Sequence, residues 1–170
     1  MQTPMSEPMS AELAEAVALR EQGSLDEARI RLLTLSARHP EDPQTAYQTA
    51  WVHDALGLEL EALPYYERAV ATGGLSPEDR HGVLLGLAST HRVLGAHGSA
   101  LAVLETALQE FPGNPALRAF RALALTNAGR AEEALSDLLH VLVDTTADPQ
   151  LREYARALSY YADHLDETAG

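Results

Sequence analysis

Lysine is absent from the sequence, and all twelve basic residues are arginine. They are outnumbered by 25 acidic residues, which gives a formal net charge of -13. Such a chain offers no basic surface for a phosphate backbone or an anionic membrane, so we expect neither nucleic acid nor a membrane as its partner. Isoleucine is also scarce, with Ile30 alone, and this composition is typical of a GC-rich, and so of a bacterial, genome.

Cysteine is absent as well, which excludes disulfide bonds, a thiol nucleophile and thiolate zinc ligands. No apolar run reaches the roughly 18 residues of a membrane span, and the first ten residues lack the basic-then-apolar pattern of a signal peptide. We therefore expect a cytoplasmic protein. Aromatic residues make up only 5% of the chain, and alanine and leucine supply much of the 46% that is hydrophobic. Both residues favour helices, so the composition predicts an all-α protein.

An internal repeat sets the organisation. Four glycines lie 34, 38 and 34 residues apart, with an alanine seven residues before and five residues after each of them. A large apolar residue follows nine residues after each glycine, on the same helical face as the second alanine. The pattern predicts pairs of antiparallel helices joined at the glycine, which can adopt the left-handed turn between them. These glycines are Gly23, Gly57, Gly95 and Gly129.

A second marker, independent of the glycines, gives the helix starts. Four pairs combine an N-cap residue with proline at the first helical position: Asp42-Pro43, Ser76-Pro77, Asn114-Pro115 and Asp148-Pro149. In the first repeat, the run from Ser24 to Glu27 reads as a capping box for the second helix. Four extra residues between Pro77 and Gly95 predict that the first helix of the third repeat is one turn longer than its counterparts.

These markers divide the chain as follows. We predict a disordered tail over residues 1–8 and a single repeat domain over residues 9–167. The repeats span about 9–41, 42–75, 76–113 and 114–147, and one capping helix spans 148–166.

The pattern resembles the tetratricopeptide repeat family over residues 9–166, and the span that begins at Ala50 resembles small stand-alone bacterial members. The resemblance implies a right-handed α-α superhelix, or solenoid, whose concave face is lined by the first helix of each pair. It also implies a non-catalytic scaffold or adaptor. The family's carboxylate clamp for chaperone tails uses Lys, Asn and Arg in the groove, and this chain has no lysine, so we do not expect that activity. The matching places hold Leu13, Val17, Gln48, Gly82 and Gly86, or one repeat later Tyr47, Trp51, Gly86, Ala116 and Phe120.

Carried over position by position, the resemblance predicts an apolar, aromatic-lined groove that grips a peptide or protein segment, with Arg92 placed to pair a carboxylate. Its lining residues are Tyr47, Gln48, Trp51, Asp54, Leu85, Ser89, Arg92, Phe120, Leu123 and Tyr154. The alternative is that the same residues are covered by the closing helix, by the tail from Met1 to Met9, or by a second copy of the chain. An alternative function is that of a homo-oligomeric assembly protein, for example a homodimer, that self-associates through its groove or through Leu151, Leu158 and Leu165.

Catalytic chemistry has little support in the sequence. No histidine pair has the i, i+4 spacing of a helical metal site, and no serine lies in a glycine-flanked nucleophile elbow. His53 and His91 each lie four residues before a turn glycine, where the other repeats carry leucine, and we interpret them as packed imidazoles. We therefore expect no enzyme activity, no cofactor and no metal. A metal-dependent hydrolase on a helical scaffold is a remote alternative.

Overall fold

A computed structural model of the chain describes residues 7–167, and all of the regular structure in this range is helical. The helices are α1 (Glu7–Glu21), α2 (Leu25–Arg38), α3 (Pro43–Ala55), α4 (Glu59–Thr72), α5 (Pro77–Val93), α6 (His97–Glu110), α7 (Pro115–Asn127), α8 (Ala131–Thr145), α9 (Pro149–Glu153) and α10 (Ala155–Asp163). The predicted all-α fold of helix-turn-helix repeats is confirmed.

The turn inside each repeat is built on its glycine. The φ angles of the four turn glycines lie between 71° and 83°, in the left-handed region that glycine adopts without steric cost. The next residue then donates its backbone N–H to the carbonyl five residues earlier, at 2.9 Å from Ser24 to Leu19 and 2.9 Å from Arg130 to Leu125. This bond satisfies a carbonyl at the end of the first helix, which is why the glycine spacing predicts the turns correctly.

The predicted N-caps are confirmed at all four proline-marked helices. Asp42 accepts a hydrogen bond from the backbone N–H of Thr45 at 2.7 Å, and Ser76, Asn114 and Asp148 cap α5, α7 and α9 in the same way. The capping box predicted at Ser24 is wrong, because its side chain makes no capping hydrogen bond. Second helices start directly out of the glycine turn, with ψ between 53° and 58° at the residue before the helix, so none of them has a side-chain cap.

Three helix boundaries refine the sequence prediction. Helix α1 begins at Glu7, so it includes the last two residues of the predicted tail, and residues 1–6 lie outside the described part. Helix α5 has 17 residues against 13 in α3, which confirms the extra turn. The predicted single closing helix is instead two helices, α9 and α10, that meet at Tyr154.

Contacts divide the chain into two compact units, one ending at Leu94 and the other beginning at Gly95. In the first unit, α1 packs against α2, α2 against α3, α3 against α4, and α4 against α5. The repeat alanines are fully buried there, which lets neighbouring helix backbones approach closely. Leu32, Leu35 and Val52 fill the space around Ala16 and Ala28.

The outer side of α1 is charged. Glu12 pairs with Arg38, and Glu15 pairs with Arg31 at 3.1 Å. All four side chains are exposed. This is the polar end that a terminal repeat needs.

In the second unit, α6 packs against α7, α7 against α8, and α8 against α10. Ala100, Ala122 and Ala134 are buried at the repeat positions. Arg118 joins α7 to Asp144 of α8 at 2.8 Å.

Candidate functional site

Trp51, the only tryptophan, lies on α3 in contact with two side chains. The guanidinium carbon of Arg20, on α1, lies 3.6 Å from the centroid of the indole ring. Tyr47, one helical turn before Trp51, stacks with the indole at a centroid distance of 5.6 Å and an interplanar angle of 21°. Trp51 nevertheless stays 40% exposed. A large aromatic surface is therefore presented to solvent in a fixed orientation.

Arg20 is held mainly by this packing. Its side chain is 9% exposed, and its ion pair with Glu21 is long, at 3.5 Å. Burial lowers the pKa of the Arg20 guanidinium from its ordinary value, while Glu21 acts in the opposite direction. An arginine stays charged in proteins, so the contact with Trp51 is a cation–π interaction.

Two glycines on α5 make room for two tyrosines. A Cβ at position 82 would lie 2.1 Å from the hydroxyl oxygen of Tyr47, and a Cβ at position 86 would lie 2.5 Å from Cζ of Tyr66. Because neither glycine has a Cβ, both phenol rings lie against the backbone of α5 and are buried. Tyr47 and Tyr66 are tilted against each other with centroids 6.5 Å apart. The exposed indole thus rests on a buried aromatic layer.

Asp54 joins this layer to α5. The Tyr66 hydroxyl donates to Oδ2 of Asp54 at 3.2 Å, and the Thr90 hydroxyl donates to Oδ1 at 3.4 Å. Burial raises the pKa of the Asp54 carboxyl, and the hydrogen bond from Tyr66 opposes that rise. Burial also raises the pKa of Tyr66, with a further contribution from the nearby Asp54 carboxylate, so the phenol remains a hydrogen-bond donor.

Helices α3 and α5 run parallel, because Tyr47 meets the start of α5 at Gly82 and Asp54 meets its end at Thr90. Leu85, Ser89 and Arg92 of α5 are all half-buried. Leu85 and Ser89 each follow one of the two α5 glycines by three residues and so lie on the adjoining face of the helix. Arg92 follows Ser89 by three residues and continues that face.

Two of the predicted lining residues, Tyr47 and Gln48, are buried rather than exposed. The Tyr47 ring stacks with the indole of Trp51. Gln48 lies in the interior with its Oε1 lacking a hydrogen-bond partner among the described residues. Neither side chain is available for contact on the surface, because each belongs to the packing between first helices.

The other three predicted residues, Phe120, Leu123 and Tyr154, belong to the second unit. Phe120 is half-buried on α7, Leu123 is exposed on the same helix, and Tyr154 is exposed between α9 and α10.

The sequence prediction did not include Arg20, Tyr66, Gly82 or Gly86 among the site residues. A signal for Arg20 was present, because it lies three residues before Gly23, as Asp54 and Arg92 lie three before their glycines. The two α5 glycines lack such a signal, since a helical glycine indicates close approach without naming the side chain that approaches.

The histidines and acids do not form a metal site in the described part of the chain. Within residues 7–167, no group of three or more His, Asp or Glu side chains could hold a metal ion. His53 is buried, with Nδ1 2.7 Å from the carbonyl oxygen of Thr49 and its ring stacked on Tyr65, as expected for a packed imidazole. In the same part of the chain, none of the helices combines the length and apolarity that crossing a membrane requires.

Stacked helix pairs with glycine turns and buried alanines define an α-α repeat protein. The model of the tetratricopeptide repeat family, described as "Tetratrico peptide repeat", matches residues 43–165, which is more than half of the chain. The chain belongs to this family. Proteins of the family bind peptides or other proteins, and their fold commonly acts as an interaction scaffold.

Solved structures of similar fold cover nearly the whole chain. MamA from Desulfovibrio magneticus RS-1 has a TM-score of 0.68 at 14% identity, covering 97% of this chain and 100% of its own. YrrB, described as a TPR protein with an unusual peptide-binding site, has a TM-score of 0.67 at 18% identity, covering 92% and 78%. A putative kinesin light chain repeat protein from Podosopora anserina has a TM-score of 0.67 at 21% identity, covering 95% and 90%.

These identities are low, so the likeness establishes the fold alone. None of the curated proteins matches this chain.

Proposed function

We propose that this protein is a non-catalytic scaffold that binds a peptide segment of a partner protein on the first helices of its repeats. The proposal rests chiefly on Trp51, a large aromatic side chain that is 40% exposed and yet fixed by Arg20 and Tyr47. A tryptophan that stays exposed forgoes the hydrophobic free energy that burial of its ring would give. Tryptophan and arginine are also the residues that most often carry binding energy at protein interfaces.

Because neighbouring side chains already order Trp51, its affinity for a partner segment is favoured. A side chain that is already ordered loses little conformational entropy when a partner covers it, and that loss is otherwise about 0.5–1.5 kcal/mol for each rotamer-rich side chain. Trp51 contacts both Arg20 and Tyr47, and the buried tyrosine rings next to it cannot shift without displacing α5. The indole therefore acts as a preformed anchor.

The surroundings of Trp51 indicate the chemistry of the ligand. Leu85 adds apolar surface, while Ser89 and Arg92 add polar groups on the neighbouring helix. The complementary segment has an apolar or aromatic side chain for Trp51 and Leu85 and a carboxylate for Arg92.

A peptide library screen read by the emission of Trp51 tests this proposal. The full chain is screened against a displayed library of random 12-residue peptides, and bound sequences are then titrated while tryptophan emission is recorded. We expect selected peptides to share an apolar residue near an acidic one and to shift the emission. Because Trp51 is the only tryptophan, the signal reports this site alone.

Variants locate the binding. Trp51→Ala, followed by calorimetry, should weaken a selected peptide at least tenfold, the size of a loss of about 1.4 kcal/mol. Leu60→Ala, which removes a side chain that is 73% exposed on the second helix α4, is the matched control and should leave affinity unchanged. Peptides that bind both variants as tightly as the wild type would place the site elsewhere and refute the proposal.

A further inference from the structure

Helix α8 carries an apolar face that its counterparts bury. The large residue nine positions after the turn glycine is buried in the first three repeats, as Leu32, Tyr66 and Leu104. Its counterpart in the fourth repeat, Leu138, is 42% exposed. Leu135 and Leu142, on the same face of the helix, are 49% and 38% exposed. The fourth repeat thus leaves open a surface that is core elsewhere.

The reason lies in the broken closing helix. In the earlier repeats a full-length first helix packs on the preceding second helix, as α3 does on α2 and α7 on α6. After α8 the chain forms only the five-residue α9 before it turns at Tyr154. Helix α10 then contacts α8 on the side that carries His140, whose Nε2 lies 2.8 Å from Oδ1 of Asp163. The equivalent positions in the first and third repeats, Thr34 and Thr106, are exposed, so α10 covers the outer side of α8.

The leucines of α8 have a two-fold symmetric spacing. The sequence from Leu135 to Leu142 reads Leu-x-x-Leu-Leu-x-x-Leu, which is the same in both directions. In an antiparallel pair of such helices, Leu135 of one copy lies beside Leu142 of the other, and Leu138 lies beside Leu139. A two-fold interface requires this reciprocity between residues. We propose that α8 pairs antiparallel with α8 of a second copy of this chain, about an axis between Leu138 and Leu139.

Charge is compatible with this pairing. At the ends of the stripe, the pairing sets Glu132 against Thr145 of the second copy, so no carboxylate faces another there. Glu133 and Asp144 lie on the opposite side of α8 and are bound to Arg130 and Arg118. The acidic character of the chain therefore does not oppose contact along the leucines.

End-to-end stacking of copies is disfavoured. The other end of the array presents Glu12 and Glu15 in ion pairs with Arg38 and Arg31. Packing these groups onto the leucines of α8 would remove charges from water without new partners. A closed pair of chains is the remaining arrangement. A stripe one helix wide buries less than the roughly 800 Å² per partner of a stable interface, so the dimer should be weak.

Sedimentation equilibrium of the full chain from micromolar to millimolar concentration is the first test. We expect the apparent mass to rise from one chain towards two. Leu138→Glu should remain a single chain throughout, and Ile30→Glu, at a residue that is 62% exposed on α2, should behave like the wild type. Circular dichroism verifies that both variants are folded. A wild type that stays monomeric, or a Leu138→Glu chain that still dimerises, would overturn the proposal.

Disulfide trapping tests the register, because the chain has no cysteine of its own. Leu135→Cys and Leu142→Cys are oxidised separately and as a mixture. The pairing places residue 135 beside residue 142 of the second copy, whereas the two copies of residue 135 lie about 10 Å apart along the helices. We expect mixed disulfides to dominate in the mixture. Equal cross-linking of each variant with itself would exclude this antiparallel register. Neither experiment involves Trp51, so its outcome is independent of the proposed peptide site.

Discussion

The guanidinium of Arg20 covers one face of the Trp51 indole at 3.6 Å and ties α1 to α3. The contact joins the first helices of two consecutive repeats through a cation–π interaction. It involves Trp51, the residue on which the function proposed above chiefly rests. The orientation of the indole therefore depends on a specific side chain, in addition to the stacking common to the repeats.

Arg20→Ala should loosen Trp51 and shift its fluorescence emission to longer wavelength, because the indole gains contact with water. The free energy of unfolding should fall by about 1–2 kcal/mol, as for a partly desolvated cation–π pair. Arg29→Ala, which removes an arginine paired with Asp26 at 3.7 Å on α2, is the control and should leave the emission unchanged. Emission that is the same in the Arg20 variant and the wild type would show that Tyr47 alone orders the indole.

Gly86→Ala should destabilise the protein by about 1–3 kcal/mol, because the new methyl group overlaps the Tyr66 ring in a packed core. Gly98→Ala on α6 has no atom within 4 Å of the added Cβ. It should instead stabilise the protein by about 0.5–1 kcal/mol, since alanine is favoured over glycine within a helix. Urea unfolding of both variants measures the contrast. A Gly86→Ala midpoint that is equal to or above that of the wild type would refute the tight contact at position 86.

Asp54→Asn should change how stability depends on pH. The pKa of Asp54 is raised in the folded chain, so the unfolded chain ionises first as the pH increases from the ordinary value of 3.8. The contribution of Asp54 to the free energy of unfolding of the wild type is therefore present at low pH. It is lost as the pH rises through the pKa that Asp54 has in the folded chain. The asparagine variant lacks this loss, and its stability relative to the wild type should increase with pH across that window.

Urea unfolding at a series of pH values measures the difference between the two chains. Asp26→Asn, which alters an exposed carboxylate on α2, supplies the control. A difference between Asp54→Asn and the wild type that is constant with pH would mean that burial does not disfavour the Asp54 carboxylate.

Sequence was sufficient for the repeat geometry because local chemistry determines it. A left-handed turn requires glycine at Gly57 whatever surrounds it, and Asp42 caps α3 with its own side chain next to Pro43. The same local reasoning failed at Ser24, where the backbone of the glycine turn already starts the helix. A residue with capping chemistry does not act as a cap when its backbone geometry is set by the preceding turn.

The site was predicted less completely, because it depends on contacts between helices. The repeat position of Tyr47 is a groove position in the family. Because Gly82 has no side chain, it leaves a space beside α5, and the Tyr47 ring is buried there. Likewise, the pattern of α8 predicts buried leucines, and whether they are buried depends on where the chain after Asp148 turns. Neither outcome is encoded within a single helix.

The fit between Tyr66 and Gly86 has a consequence for the descent of this protein. The ring of Tyr66 occupies the volume that a side chain at position 86 would need, so only one of the two positions can hold a large side chain. Substitution of either position first would produce a clash or a void, which disfavours stepwise change. Sequences that share this arrangement should therefore exchange size between the two positions, with a larger residue at 86 wherever 66 has lost its aromatic ring.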